Sequence, residues 1–316
     1  MSFTSDTKQE LLQIENDPCC KVATLSALLA INGYLSLNHD GMRVVFQTTS
    51  LPLARKAIHL VKSLYPVNVD VFSKKGVKLQ KKNQYMMIVK EKVNMMVREL
   101  GLMSEETGFA QNVDDAIIQR ECCQRAYLRG AFLAGGSINH PNSSSYHLEI
   151  AVPNQPFAQS LSELMNTFSL KSKTLEKKRG YLVYIKDSEK IADFLRITGA
   201  STALFNYEDA RIKRDFVNSI TRVMNMEIAN QNKTFEAANK QLRHIEIIEK
   251  LLDEERLPKS VKEAIFLRKT YPEASLVELS ELSKHHYKKP ISKSGLNHRY
   301  RNIAKIAKEA IEAYED

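Results

Sequence analysis

The chain carries one helix-forming stretch twice, and this duplication limits its possible folds more than any other feature. Residues 19–37 (CCKVATLSALLAINGYLSL) and 122–140 (CCQRAYLRGAFLAGGSINH) align without a gap. Cys19/Cys122, Cys20/Cys123, Ala23/Ala126, Leu25/Leu128 and Gly33/Gly136 are identical, and Ala27/Gly130 keep a small side chain. A second match follows in each copy, between residues 79–90 (LQKKNQYMMIVK) and 175–186 (LEKKRGYLVYIK). The small change in offset between the two matches falls in loops, which tolerate insertions. A unit of roughly 90 residues is too long for a solenoid repeat and points to a pseudo-two-fold domain.

Within each copy the opening helix mixes large and small side chains, so a second helix can approach it closely. Residues 128–134 carry only Arg129 as a charge. The Gly135-Gly136 pair predicts a helix stop that uses positive φ to turn the chain. Alternating residues 34–38 and 42–49 read as strands. Residues 51–66 then read as an amphipathic helix, with Ala54, Ile58, Val61 and Tyr65 on one stripe and Pro66 as its stop. Strands over 67–75 and 83–91 and a helix over 93–102 close the copy. The second copy repeats the pattern through 145–152, 156–170, 171–178, 180–187 and 188–200. The order αββαββα, written twice, predicts an α+β domain of two four-stranded sheets side by side, with helices on one face.

Between residues 200 and 257 there is neither glycine nor proline. Ile212, Phe216, Ile220 and Met224 form one helical stripe; Leu242, Ile245, Glu249 and Leu252 mark another, only partly apolar. The asparagine-rich residues 225–234 between them predict a break, because asparagine favours caps and turns. Three short helical patterns follow Pro258. The second opens at Ser275 with Glu278 in capping-box spacing, and Leu276, Leu279 and Leu282 form its stripe. The third buries Leu296, Tyr300, Ile303 and Ala307, leaving Asn297, His298, Arg299, Arg301, Asn302 and Lys305 facing elsewhere. Ser292, Lys293 and Ser294 stand at its start. From Lys284 to Lys308 there are eight Lys/Arg and no acid. Cations suit phosphates, and Arg, Asn and Ser reach base edges, so the pair reads as a helix-turn-helix. The competing reading is a solvated basic helix in a small bundle. The stretch joining the pair is longer than the usual turn. The division expected is 1–110 and 111–206 for the copies, 207–252 for a helical connector, and 253–316 for the DNA-binding part.

The net charge of +9 leans towards an anionic partner, though solubility alone also selects basic surfaces. No stretch is long and apolar enough to span a membrane, and the first residues lack signal-peptide order, so the expected location is the cytoplasm. Adjacent cysteines bridge only through a strained ring, so a secreted disulfide framework does not fit. A four-thiolate zinc site from Cys19, Cys20, Cys122 and Cys123 lacks the usual C-x₂-C spacing, which favours packing roles for them. His285 and His286 have no cysteine or acid near them in sequence. Lys81, Lys82, Lys177 and Lys178 recur at equivalent places beside strands, either as secondary phosphate contacts or as lysines that keep strand edges soluble. No phosphate-binding loop, nucleophile elbow or zinc-protease motif is present, and no cofactor is expected.

Residues 25–33 (LSALLAING) and 128–136 (LRGAFLAGG) resemble the paired central helices of LAGLIDADG homing endonucleases. Together with the cysteine pairs, residues 229–234 (ANQNKT) and the basic tail, essentially the whole chain resembles the WhiA family of bacterial sporulation and cell-division regulators. The resemblance implies a nucleoid-associated transcriptional regulator of cell division, chromosome segregation or sporulation that binds double-stranded promoter DNA. RNA polymerase or another regulator would be a further partner. In the nucleases, each motif ends in an acid before its last glycine, and the two carboxylates hold divalent metal for phosphodiester hydrolysis. The matching positions here are Asn32 and Gly135, so the resemblance implies a dead nuclease domain. Asp40 and Glu149 lie further along, in or beside strand patterns. The rival readings are an active endonuclease and an interaction scaffold with a non-specific DNA anchor.

Overall fold

The computed structural model describes residues 2–39, 41–75, 83–104, 108–109, 111–143, 145–253, 255 and 257–315. The chain divides into two units, Met1–Arg214 and Asp215–Asp316.

The first unit opens on α1 (Phe3–Leu12). The first repeat follows as α2 (Pro18–Asn32), β1 (Gly33–Asn38), β2 (Gly41–Thr48), α3 (Leu51–Leu64), β3 (Val69–Lys74), β4 (Gln84–Val89) and α4 (Val93–Glu99). A small hairpin, β5 (Met103–Ser104) with β6 (Gly108–Phe109), leads on. The second repeat is α5 (Glu121–Gly135), β7 (Gly136–Ile138), β8 (Leu148–Val152), α6 (Gln155–Thr167), β9 (Lys173–Glu176), β10 (Tyr181–Ile185) and α7 (Ser188–Thr198). Both antiparallel sheets share one order, β1-β2-β4-β3 and β7-β8-β10-β9. Registers agree as well: Gly33 pairs with Phe46 and Gly136 with Ile150, at the root of each first strand. Period-2 alternation sends Val44, Phe46, Met87 and Val89, and likewise Leu148, Ile150, Val183 and Ile185, into the helix-side core. The duplicated α+β architecture is therefore as the repeat predicts.

The two copies meet where α2 packs on α5. A Cβ at Gly130 would stand 2.7 Å from the Thr24 carbonyl oxygen and 2.9 Å from the Ala27 Cβ, closer than van der Waals contact allows. The small residues are there to let the two backbones approach. The glycines at the helix ends differ from the expectation. Gly136 has φ −77° and Gly33 has φ −106°, both extended, so positive φ does not turn the chain there. Gly135 is required for a different reason: its Cβ would lie 2.2 Å from the Ala151 carbonyl oxygen of β8.

Phe3, Thr7 and Leu11 of α1 are buried at helical spacing. The Thr4 hydroxyl donates to the Ile138 carbonyl at 2.7 Å and accepts from its N–H at 2.9 Å, tying α1 to β7. Glu10 accepts from Thr202 N (2.7 Å) and Ala203 N (3.0 Å), at the start of the next helix, α8 (Ser201–Leu251).

The break expected at residues 225–234 does not occur, because α8 runs for 51 residues without interruption. Interior asparagine costs only a few tenths of a kcal/mol more than a good helix former. With no proline or glycine present, nothing in the segment is costly enough to stop the helix. Ile212, Phe216, Ile220 and Met224 are exposed on α8, whereas Ile245 and Ile248 are buried in the core of the second unit. That core is completed by α9 (Lys259–Thr270), α10 (Leu276–His286) and α11 (Lys293–Glu315).

Candidate nucleic-acid interface

The C-terminal ends of α2 and α5 are where a nuclease of this fold would hold its acids. Here the Asn32 side-chain amide donates to the Ala134 carbonyl across the seam at 3.3 Å. Gly135 has no side chain, and the Ala151 carbonyl occupies the space one would need. The adjoining cleft is lined by Asn32, Tyr34, Gln47, Thr48, Thr49 and Gln84, all neutral. A divalent cation wants hard anionic oxygens, and these side chains offer none. Glu149 is engaged within its own sheet, 3.1 Å from His147 Nε2 and accepting from the Ser137 hydroxyl at 3.3 Å. Asp40 lies outside the described residues, as do Lys81 and Lys82. Lys177 and Lys178 are exposed at the β9–β10 turn.

In the second unit the sequence builds a rigid helix pair. The Ser275 N–H donates to the Glu278 carboxylate at 2.7 Å and the Glu278 N–H to the Ser275 hydroxyl at 3.2 Å, the capping box expected for α10. These bonds, the backbone one foremost, hold the Glu278 carboxyl below its usual pKa. The link from α10 to α11 covers residues 287–292 and is pinned at Ile291. The Ser283 hydroxyl accepts the Ile291 N–H at 2.9 Å, and the Ser280 hydroxyl donates to its carbonyl at 2.8 Å. This explains how a longer connection still sets the angle of α11. The Ser292 hydroxyl then accepts the Gly295 N–H at 3.1 Å in the first turn of α11.

Leu296, Tyr300, Ile303 and Ala307 form the buried side of α11. Ser292, Lys293, Ser294, Asn297, His298, Arg301 and Lys305 are exposed, and Asn302 is half-buried. Asn297, Arg301 and Lys305, four residues apart, make one line along the helix. Arg299 departs from the set. Its guanidinium pairs with the Glu263 carboxylate at 2.7 Å and donates to the Ser260 carbonyl at 3.2 Å, both on α9. By position about 70° round the helix from the centre of the buried stripe, it belongs to the flank. His286 is also engaged, 3.1 Å from the Tyr271 hydroxyl and edge-on to Phe266, while His285 is exposed.

Arg268 was not singled out from sequence, yet it is 1% exposed. It donates to the carbonyls of Ala274 (2.6 Å), Pro272 (3.2 Å) and Tyr271 (3.3 Å) and to the Gln241 side chain (3.0 Å). It also lies 5.4 Å over the Tyr300 ring, whose hydroxyl burial pushes up to about 12. Arg268 thus closes the α9–α10 turn against α8 and α11. Its place on the α9 stripe with Val261, Ala264 and Ile265, at i, i+3, i+4 and i+7, is the signal that separates it from its exposed neighbour Lys269.

At the other end of the seam, Cys19, Cys20, Cys122 and Cys123 come together, with all four sulfurs within 4.8 Å of one another. Burial pushes the Cys123 thiol up to about 12 and the Cys20 thiol up as well, while a hydrogen bond with Cys123 draws Cys19 down.

Duplicated αββαββα units joined at a glycine-bearing helix seam, followed in the chain by a pinned helix pair whose second helix opens basic, define a LAGLIDADG-like protein carrying a C-terminal helix-turn-helix. Comparison with known families agrees. Residues 18–103 match the WhiA N-terminal LAGLIDADG-like domain, residues 124–217 the WhiA LAGLIDADG-like domain, and residues 220–307 the WhiA C-terminal HTH domain. The chain belongs to the WhiA family. It is 43% identical over 309 residues to the "Probable cell division protein WhiA" of Bacillus cytotoxicus, covering 98% of this chain and 97% of the relative. The protein of the same name from Brevibacillus brevis is 41% identical, covering 97% and 96%. Among solved structures, full-length WhiA from Thermatoga maritima shares the fold with a TM-score of 0.60 at 23% identity, over 98% of this chain and 99% of that one.

Proposed function

We propose that this protein is a sequence-specific, DNA-binding transcriptional regulator of cell division, chromosome segregation or sporulation, and that it does not cut DNA. The observation that carries the reading is the exposed line Asn297, Arg301 and Lys305, which meets its first acid only at Glu309 (3.6 Å from Lys305), on a helix whose start is held by Ser280 and Ser283. Lys293, Ser292 and Ser294 at that start serve as phosphate contacts, while Asn297, His298, Arg301 and Asn302 face bases. Arg299 positions α11 through Glu263 rather than reading a base. Lys177 and Lys178 supply a weaker, sequence-blind contact. The duplicated unit presents Phe72 and Leu175, both about half exposed, to a protein such as RNA polymerase or another regulator.

Chromatin-bound DNA sequencing in the native cell tests the reading. Sharp peaks at promoters are expected, and diffuse coverage would favour a scaffold with a generic DNA anchor. The chemical half follows from Asn32 and Gly135. Purified protein incubated with plasmid and Mg²⁺ or Mn²⁺ is expected to leave both strands intact. Metal-dependent cleavage that persists through repurification and disappears with Glu149→Gln would contradict it.

A further inference from the structure

The four cysteines form a constellation that DNA binding does not use. Each repeat contributes an adjacent pair from the first turn of its seam helix, so the cluster straddles the pseudo-two-fold axis. Within the pairs the sulfurs are 4.0 Å (Cys19, Cys20) and 3.9 Å (Cys122, Cys123) apart, and no two of the four sulfurs exceed 4.8 Å. A tetrahedral ion with Zn–S bonds of about 2.3 Å places its sulfurs about 3.8 Å apart. The observed separations are within a rotamer adjustment of that value. The C-x₂-C objection raised by the sequence therefore loses its force: the second pair of ligands comes from the other repeat.

The surroundings suit thiolates. Two helix N-termini converge on the cluster, and their dipoles favour anionic sulfur. The cleft beside Cys19 and Cys123 is lined by Arg98 and Arg120 together with Glu99 and Asp114, so its charges balance and the helix N-termini supply the field that favours thiolate. Cys20 and Cys123 are buried while Cys122 is exposed, giving a closed coordination sphere with one open approach. A polynuclear iron–sulfur cluster spreads its thiolates further apart than this.

We propose that Cys19, Cys20, Cys122 and Cys123 bind a single Zn²⁺ as a mononuclear tetrathiolate site that clamps the two repeats together. Each coordinating thiol gives up its proton, so one ion displaces four protons and nothing is oxidised or reduced. The site lies 12 to 13 residues along the helices from Asn32 and Gly135, roughly 18–20 Å away, so its role is structural rather than hydrolytic.

The test uses the full chain, reduced, stripped of metal and titrated with Zn²⁺ and with Co²⁺. Binding of one ion per chain is expected, with the sulfur-to-cobalt charge-transfer and strong visible bands of tetrahedral Co²⁺. Melting should shift upward on Zn²⁺ addition. The paired variants Cys19→Ser/Cys20→Ser and Cys122→Ser/Cys123→Ser should each lose stoichiometric binding and the melting shift. Cys122→Ser changes only the exposed sulfur and should weaken the charge-transfer band, which keeps the test decisive if a paired variant does not fold. Absence of bound metal in the reduced protein, or cobalt bands that persist without Cys122 and Cys123, would overturn the proposal. So would a cross-link between the two pairs in protein isolated anaerobically from cells.

Discussion

Arg268→Ala is expected to destabilise the helix-turn-helix unit by roughly 2–5 kcal/mol, combining a side-chain-sized cavity with three turn carbonyls that lose their donor. The Ala274, Pro272 and Tyr271 carbonyls all converge on one guanidinium nitrogen, and Gln241 takes another. Pro272 is exposed and Tyr271 and Ala274 are half-buried, so water recovers part of the lost bonding, and the cavity left by a side chain that is 1% exposed carries the larger share. Arg268→Lys keeps the charge but not the planar fork, and should recover only a minor part of the stability. Thermal unfolding of the full chain would show the second unit melting early in both variants. An alanine variant that melts with the native protein would mean the α9–α10 turn does not depend on this residue.

Gly130→Leu should overpack the seam between the repeats and cost roughly 1–3 kcal/mol, or more where the obstacle is backbone that cannot rotate aside. The Thr24 carbonyl is such an obstacle, at 2.7 Å from where a Cβ would sit. Lys62→Leu, on the exposed side of α3, is the matched control and should stay within about 0.5 kcal/mol. Denaturant unfolding compares the two directly. Equal stabilities would place the seam elsewhere.

The repeat made the duplicated domain legible because identical spacing implies identical topology, and both sheets adopt one strand order. What the pattern did not convey was which physical property of glycine mattered. Gly135 answers to Ala151, a residue in β8 that no local reading brings to its side. The asparagines of α8 were weighed as a stop signal, but propensity is a weak prior where no proline or glycine supports it. On α11 the exposed face was readable from the Leu296 stripe. The flank was not, since whether Arg299 meets solvent or Glu263 depends on where α9 packs. The four cysteines were legible as a candidate thiolate set, and their adjacent spacing argued against one; that all four sulfurs lie within 4.8 Å follows from how the seam helices pack, which spacing does not convey.

Whether α11 is the element that reads DNA is tested most directly by titration of the full chain on promoter and scrambled duplexes at several salt concentrations. Lys293→Ala should weaken both duplexes alike and reduce the magnitude of the salt slope by about one unit. Arg301→Ala should cost roughly 1–3 kcal/mol on the promoter and far less on the scrambled duplex. Arg299→Ala should lower affinity without changing which base is preferred, because its guanidinium is spent on Glu263. Promoter preference that survives intact in a Lys293→Ala/Arg301→Ala/Lys305→Ala variant would contradict the account and move the reading of DNA to the duplicated sheets.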